Sequence, residues 1–484
     1  MNKNNDIRSV TISNLVWRFA ERCGAQGVSF IVSVVLARLL DPSVYGTIAL
    51  ITVFTAILQV FIDSGMGNAL IQKSDADQLD FSTVFYFNLL MCTLAYLILF
   101  LSAPWIAAFY KKPELCMLTR VLGLTLIVSG MKNIQQAYVS RNLLFKRFFY
   151  ATLAGTIVAA VVGITMAHCG FGVWALVGQQ LTNVTIDTVI LFFTVKWRPT
   201  FEFSFNRFKD LFSFGWKLLV SSLIDTIYNN VRQLIIGKIY SGESLAYYNR
   251  GKNLPNLVIT NINSSIDSVL LPVMSREQDN ISRVKQMTRR SIQMGCYIIW
   301  PLMMTLAVAG KEVVSILLTE KWLPSVPYLQ IFCFTYALWP IHTANLNAIK
   351  AVGRSDLFLK LEIIKKAIGI IGIIISVQHG VLAIAAVMAI TAPISGVINA
   401  SPNKKLLKYS YGEQIKDLMP NLILTITAGI SAYCVNWLFL PVWSALILKI
   451  IIIASTYLIL SRVLKVESFE YIIVYLKRKI FSPN

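Results

Sequence analysis

Residues 17–70 read WRFAERCGAQGVSFIVSVVLARLLDPSVYGTIALITVFTAILQVFIDSGMGNAL, and this stretch decides the fold of the chain. An apolar segment reaches Leu40, turns at Asp41 and Pro42, and a second apolar segment returns to Asp63. Each segment has the length of roughly 20 residues that a helix needs to cross a bilayer. The stretch therefore predicts two antiparallel membrane helices, joined by a tight turn and carrying a few charges inside the membrane.

A similar hairpin recurs in residues 216–274, about 200 residues later in the chain. Its turn lies at Ser241, and the return segment ends near Asp267. Further on, a glycine turn at Gly172 has a counterpart at Gly380. Two six-helix halves in the same orientation predict a pseudo-twofold axis along the membrane normal, with a cavity between the halves and a rocking motion around it. Chance similarity among apolar segments is the alternative.

Composition fixes the class of protein. The 484 residues are 56% hydrophobic, which is more apolar sequence than one soluble core buries, so we expect an all-α polytopic membrane protein. In a soluble protein the formal net charge of +20 would indicate nucleic acid, but here it fits basic loops on one side of a membrane, and we expect no nucleic-acid partner. The 7 cysteines are scattered singly without metal-type spacing, which indicates core packing and no metal site.

Apolar length and turn signals predict about fourteen membrane spans. They lie near residues 14–39, 44–70, 83–109, 115–138, 149–168, 171–195, 211–237, 246–273, 292–310, 325–349, 358–378, 380–400, 418–438 and 441–461. This count predicts an N-terminal six-helix lobe in residues 1–200 and a C-terminal six-helix lobe in residues 201–403. Residues 404–484 then form a basic linker, two extra transmembrane helices and a cytoplasmic tail.

The distribution of loop charges predicts the orientation. With both termini in the cytoplasm, most loop Lys and Arg fall on the cytoplasmic side, as the positive-inside rule requires. The opposite side holds Arg38, Lys111, Lys112, Lys238, Lys311 and Lys321. The first apolar stretch is too long and too charged for a signal peptide, so we expect none that is cleaved.

Charges inside the spans are the candidate functional residues, because each costs on the order of 3 kcal/mol unless it faces protein or water. Asp225 and Arg232 lie one heptad apart in span seven, on roughly the same face, and we expect them to face a cavity. Asp225, Asp187 deep in span six, and Glu21 in the first span are candidates for ion coupling. Lys132 and Arg120 in span four have no obvious local partner.

A second group of charges lies near helix ends, where two interpretations stay open. Arg18 and Arg22 share one face of the first helix, with Glu21 able to pair with Arg18, and they fit either a substrate-binding site or anchors that snorkel to the surface. Asp63 and Asp267 occupy corresponding positions in spans two and eight. A helix-end or pairing role is as consistent with the sequence as ion coupling.

Aromatic and basic residues cluster in the outer part of span eight. Tyr247, Tyr248, Arg250 and Lys252 are placed to receive a phosphate or sugar, although an interfacial belt of such residues is the alternative. The last two spans have little polar chemistry apart from Asn436 and Lys449. They fit a scaffold, or a flank that guides a lipid tail.

The sequence lacks the usual signatures of catalysis. It contains no GxxxxGK[ST] phosphate loop, no HExxH and no GxSxG. No long hydrophilic segment is available to hold a soluble catalytic domain. We therefore expect a protein that is not an enzyme and that has no bound cofactor.

Two runs of residues in each half carry a family resemblance. In the first half they are ARLLDPSVYG, residues 37–46, and DSGMGNALIQ, residues 63–72; in the second they are LAYYNRG, residues 245–251, and LPVMSR, residues 271–276. The chain resembles the Wzx-type polysaccharide and O-antigen flippases of the multidrug/oligosaccharidyl-lipid/polysaccharide exporter superfamily. It looks most like the subgroup linked to colanic-acid-like and lipopolysaccharide precursors.

The resemblance implies a function in the bacterial cytoplasmic (inner) membrane. The protein would move an undecaprenyl-pyrophosphate-linked glycan from the cytoplasmic to the periplasmic leaflet by alternating access, driven by an H⁺ or Na⁺ gradient. Its partners would be membrane lipid, a polymerase and glycosyltransferases. A cation-coupled drug antiporter of the same superfamily is the alternative, for which twelve spans and an acidic or apolar cavity are expected. A membrane polymerase or ligase would instead need a large periplasmic loop.

Overall fold

The computed structural model describes residues 24–63, 66–73, 75–142 and 144–481, and their regular secondary structure is entirely helical. In the first half the helices are α1 (Gly24–Leu39), α2 (Pro42–Asp63), α3 (Met66–Gln72), α4 (Gln78–Tyr110), α5 (Glu114–Arg141), α6 (Phe145–His168), α7 (Val173–Thr194), α8 (Phe205–Ile239) and α9 (Gly242–Arg276). In the second half they are α10 (Ile281–Val308), α11 (Gly310–Leu318), α12 (Val326–Ala337), α13 (Trp339–Ala351), α14 (Ser355–Ser376), α15 (Val381–Ala400), α16 (Asn403–Leu406), α17 (Tyr411–Tyr433), α18 (Val442–Val463) and α19 (Glu467–Phe481).

Within the described ranges, 10 helices are long and apolar enough to cross a membrane. They confirm a polytopic helical membrane protein. The other predicted spans correspond to α1, which is described only from Gly24, to α8 and α14, which carry several charges, and to α12 with α13, where the helix breaks at Leu338. The count of fourteen spans stays a prediction.

The chain divides into two compact units, with the boundary between Ala246 and Tyr247. Helices α2 and α9 begin at Pro42 and Gly242, and α7 and α15 begin at Val173 and Val381, so the helix starts keep the register of the predicted repeat. The predicted division at residues 200 and 403 stays a prediction.

In the first unit α4 pairs with α5 and α6 pairs with α7, while α2 packs against both α5 and α8. We call the end of this unit that holds Asp41 and Ser241 the turn end. There the backbones of α2 and α9 touch, since a Cβ on Gly46 would overlap the carbonyl group of Gly242. Lys112 Nζ lies 3.4 Å from Thr47 Oγ1 beside this contact. Glycine at position 46 therefore permits a close approach that no other residue allows.

The connection 195–204 and the start of α8 are fastened to the start of α4. Arg207 binds the buried carboxylate of Asp80 at 3.1 Å, and Lys73 Nζ binds the same carboxylate at 2.7 Å. Asp77 caps α4 by accepting a hydrogen bond from the Asp80 backbone. A reciprocal bond between the Asp77 backbone N–H and the Asp80 carboxylate completes this cap. The cap, with the nearby Arg207 guanidinium, holds the pKa of Asp77 below its usual value.

In the second unit α10 contacts α12, α13, α17 and α18. Polar contacts inside the apolar layer bind the last two long helices to this unit. The Tyr297 hydroxyl lies 3.1 Å from Ser461 Oγ, and Asn421 Nδ2 donates to the carbonyl of Gln293 at 3.0 Å. Lys449 is paired with Glu312 on α11 at 2.6 Å. The polar residues of α17 and α18 are therefore engaged in holding the helices together.

Candidate functional site

Arg232 lies on α8 and is only 5% exposed. Its guanidinium sits 5.3 Å from the ring centroid of Tyr228, and Nη2 lies 3.5 Å from the Tyr228 hydroxyl. Within the described residues, its Nε is buried without a hydrogen-bond partner. An arginine in a membrane protein is costly to bury, and this one has an Nε–H donor that no described group accepts.

Asp225 and Arg232 occupy different surroundings, although the heptad spacing places them on the same side of α8. Asp225 is exposed, whereas Arg232 is buried. The difference follows the packing of α8 against α2, because Leu50 of α2 contacts α8 at Gly237, little more than one turn beyond Arg232. The predicted cavity role of both residues stays a prediction.

Asp187 on α7 and Lys132 on α5 form an ion pair inside the first unit. The Lys132 Nζ and Asp187 Oδ2 atoms are 3.0 Å apart, and Asp187 is 4% exposed. Lys132 has no obvious local partner in the sequence, and the structure supplies a distant one because α5 packs directly on α7. Asp187 Oδ1 is buried without a hydrogen-bond partner in the described part of the chain, so this carboxylate is only partly satisfied. Arg120, another cation of α5, lies over the Phe100 ring at 4.2 Å.

The predicted aromatic and basic cluster of α9 centres on Trp322. Arg250 lies 5.0 Å from the Trp322 ring centroid, and Tyr247 meets the same ring edge-on at 6.1 Å. Lys252 is half-buried. Tyr248 is fully buried, packs on Phe332, and places its hydroxyl 3.6 Å from Met388 Sδ. Tyr248 is therefore a packing residue, and the structure does not present it to a ligand.

The remaining predicted residues divide into three cases. Asp267 on α9 accepts a hydrogen bond from Asn347 Nδ2 at 2.6 Å. This contact is a pairing role, one of the alternatives that the sequence left open for Asp267. Asp63 is the last residue of α2, and its side chain lies outside the described atoms. Arg18, Glu21 and Arg22 lie outside the described residues.

Sequence reasoning missed two features of the interior. It did not pair Lys449 with Glu312, which are far apart in the chain and meet only because α18 packs on α11. It also missed uncharged polar residues on α2, α5 and α7, although their helical spacing within apolar segments was a signal that could have revealed them. Among the described residues no group of three or more His, Cys, Asp or Glu side chains could hold a metal ion.

The comparisons with known proteins agree with this architecture. The profile of a family described as polysaccharide biosynthesis protein matches residues 35–327. The teichuronic acid biosynthesis protein TuaB of Bacillus subtilis (strain 168) is 25% identical over 388 residues, which cover 79% of this chain and 80% of TuaB. The lipopolysaccharide biosynthesis protein WzxC of Escherichia coli (strain K12) is 23% identical over 439 residues, which cover 88% of each chain.

A solved structure has the same fold. The lipid II flippase MurJ in an inward closed conformation superposes with a TM-score of 0.74 at 14% identity, covering 93% of this chain and 98% of that one. At this identity the likeness shows the fold alone. The family match extends over more than half of the sequence and confirms the resemblance seen in the repeated motifs. The chain therefore belongs to the polysaccharide biosynthesis protein family.

Proposed function

We propose that the protein is a flippase that moves an undecaprenyl-pyrophosphate-linked oligosaccharide from the cytoplasmic to the periplasmic leaflet of the bacterial inner membrane. The proposal rests on the buried Arg232 of a membrane protein of this family. The Nε–H donor of Arg232 has no hydrogen-bond partner in the described part of the chain. The names of TuaB and WzxC, which refer to the biosynthesis of cell-surface glycans, support the same class of cargo.

The cargo presents a clear physical problem. A pyrophosphate and a hydrated glycan do not cross hydrocarbon unaided, because each buried polar group without a partner costs several kcal/mol. Arg232 supplies a charge-assisted donor for a phosphate oxygen, and its planar fork suits such an anion. The polyprenyl tail stays in the bilayer throughout, so the protein needs to shelter only the head group.

We further propose that the transport cycle is alternating access coupled to an H⁺ or Na⁺ gradient. The Lys132–Asp187 pair is the candidate for coupling, since an added proton or Na⁺ at Asp187 would compete directly with Lys132. Both termini are placed in the cytoplasm by this proposal, and the protein itself carries out no covalent chemistry. A polymerase and glycosyltransferases would act before and after it on the same glycan.

A reconstituted transport assay tests the proposal. The full-length protein is inserted into liposomes that hold a fluorescent undecaprenyl-pyrophosphate-linked oligosaccharide in both leaflets, and a membrane-impermeant quencher is then added outside. We expect nearly complete quenching in proteoliposomes and about half in protein-free liposomes. Identical quenching in the two samples, with and without an imposed ion gradient, would reject the flippase.

A further inference from the structure

A polar cavity of about 340 Å³ opens within the first unit, between α2, α5 and α7. Of the lining residues in the described part of the chain, none is charged and eight are polar: Thr52, Thr55, Gln59, Thr125, Ser129, Gln179, Gln180 and Asn183. Its volume lies at the lower end of the range of about 300–1,000 Å³ that ligand pockets occupy. The cavity is large enough for a small ligand, and its lining is more polar than that of most such sites.

Regular helical spacing places these residues on one face of each helix. Thr52, Thr55 and Gln59 follow one face of α2 at helical intervals, as Thr125 and Ser129 do on α5. Each of these helices is otherwise apolar enough to span a membrane. Uncharged polar side chains that converge from separate apolar helices indicate a common ligand better than scattered surface polarity does.

The lining offers both donors and acceptors of hydrogen bonds. The hydroxyls of Thr52, Thr55 and Thr125 donate to carbonyls of their own helices, at 3.0, 3.1 and 2.6 Å, which leaves their oxygens free to accept. The amides of Gln179 and Asn183 have no hydrogen-bond partner in the described part of the chain, and each both donates and accepts. A ligand rich in hydroxyl or acetamido groups complements this mixture.

The described lining favours an uncharged ligand. Among the residues that the structure describes, the lining has no Lys or Arg to bind a phosphate and no carboxylate to bind a metal ion or an organic cation. The nearest charges along the helices are Lys132, three residues after Ser129, Asp187, four residues after Asn183, and Asp63, four residues after Gln59, whose side chain lies outside the described atoms. Lys132 and Asp187 neutralise each other at 3.0 Å. The cavity is therefore matched to a neutral, hydroxylated ligand.

We propose that this cavity, which we call the α2–α5–α7 cavity, binds neutral sugar residues of the transported glycan. The proposal rests on the flippase function proposed above and adds a subsite to it, separate from the cationic contact of Arg232. Recognition of the sugar would then depend on Gln179 and Asn183, while recognition of the pyrophosphate would not.

The test compares two probes on the full-length protein in lipid nanodiscs. One probe is undecaprenyl pyrophosphate, and the other is the same lipid carrying a neutral disaccharide of N-acetylglucosamine and galactose. We expect the wild type to bind the disaccharide lipid about tenfold more tightly. In Gln179→Met and Asn183→Leu, which keep side-chain volume, the affinity for the disaccharide lipid falls about tenfold and that for the sugar-free lipid stays unchanged.

Two further variants make the result decisive. Thr55→Val removes a hydroxyl from the opposite wall with almost no change of shape, and we expect the same selective loss. Thr185→Val makes the same exchange on the exposed face of α7, outside the cavity, and binds both probes like the wild type. Unchanged affinity of the cavity variants, or equal loss for both probes, overturns the sugar site alone. A wild type that binds neither probe overturns the flippase function as well.

Discussion

Lys132 and Asp187 are joined across α5 and α7 by an ion pair of 3.0 Å inside the first unit, next to a polar cavity whose described lining residues are uncharged. The pair is 55 residues apart in sequence. A buried ion pair is weak grounds for stability in itself, but removal of one partner leaves an uncompensated charge. The two residues can therefore be tested as a unit.

We expect Lys132→Met and Asp187→Leu to destabilise the protein by about 3 kcal/mol each, and the double variant to regain most of that loss. Thermal unfolding in nanodiscs measures the free energy, and proteoliposome transport measures the function. If the pair couples an ion to transport, the double variant is stable yet insensitive to the imposed gradient. A stable double variant with normal gradient dependence would leave the pair with a structural role only.

Arg232 gives the second prediction. We expect Arg232→Ala to reduce transport by about 10- to 100-fold, because a charge-assisted donor to the pyrophosphate is lost. Arg232→Lys keeps the charge but not the planar fork, so an intermediate rate is expected. Ile227→Ala, at an exposed position on the other face of the same helix, is the control. Wild-type transport by the Arg232→Ala protein at normal abundance would contradict the site.

Asp225 is tested separately, because it is exposed where Arg232 is buried. We expect Asp225→Ala to abolish export while the protein remains in the membrane, as a residue that faces the transport route would. Export of surface glycan in cells that depend on this protein is the measurement, with immunoblotting of membranes as the control. Normal export would remove Asp225 from the transport route.

Lys449 and Glu312 give a prediction about the two extra helices. Lys449→Met leaves Glu312 buried without its partner, so we expect a loss of about 3 kcal/mol in stability, and Lys449→Met with Glu312→Gln should recover it. Transport by the double variant should equal that of the wild type if α18 is a scaffold. Stable protein with slow transport would instead favour guidance of a lipid tail by this helix.

The orientation can be measured by thiol labelling in a cysteine-free background. We expect Ser241→Cys to react with a membrane-impermeant reagent in intact cells that have a permeable outer membrane, and Glu202→Cys to react only after the inner membrane is opened. Both positions are exposed, so reactivity reports the side of the membrane. The reverse pattern would invert the proposed topology.

The sequence was sufficient for the helical class and for the repeat. Apolar segments of bilayer length and the turns near Asp41, Gly172 and Gly380 are local signals, and helices begin next to each of them. The partners of buried charges were not predictable in this way. Lys132 meets Asp187 only because α5 packs on α7, and Tyr248 is buried only because α12 covers it. Depth in the membrane is a property of position along one helix, whereas pairing depends on how two helices pack.

The contact between Gly46 and Gly242 sets a limit on how closely the turn end of the first unit can shut. The backbones meet there with no side chain between them, so closure at this point depends on the shape of the main chain. Dispersion attraction between two touching backbones loses about a quarter to a half of its strength when a gap of about 0.5–1 Å opens. The contact therefore weakens as soon as the two backbones separate. In the proposed transport cycle, this main-chain contact would close to the same distance whichever glycan is carried.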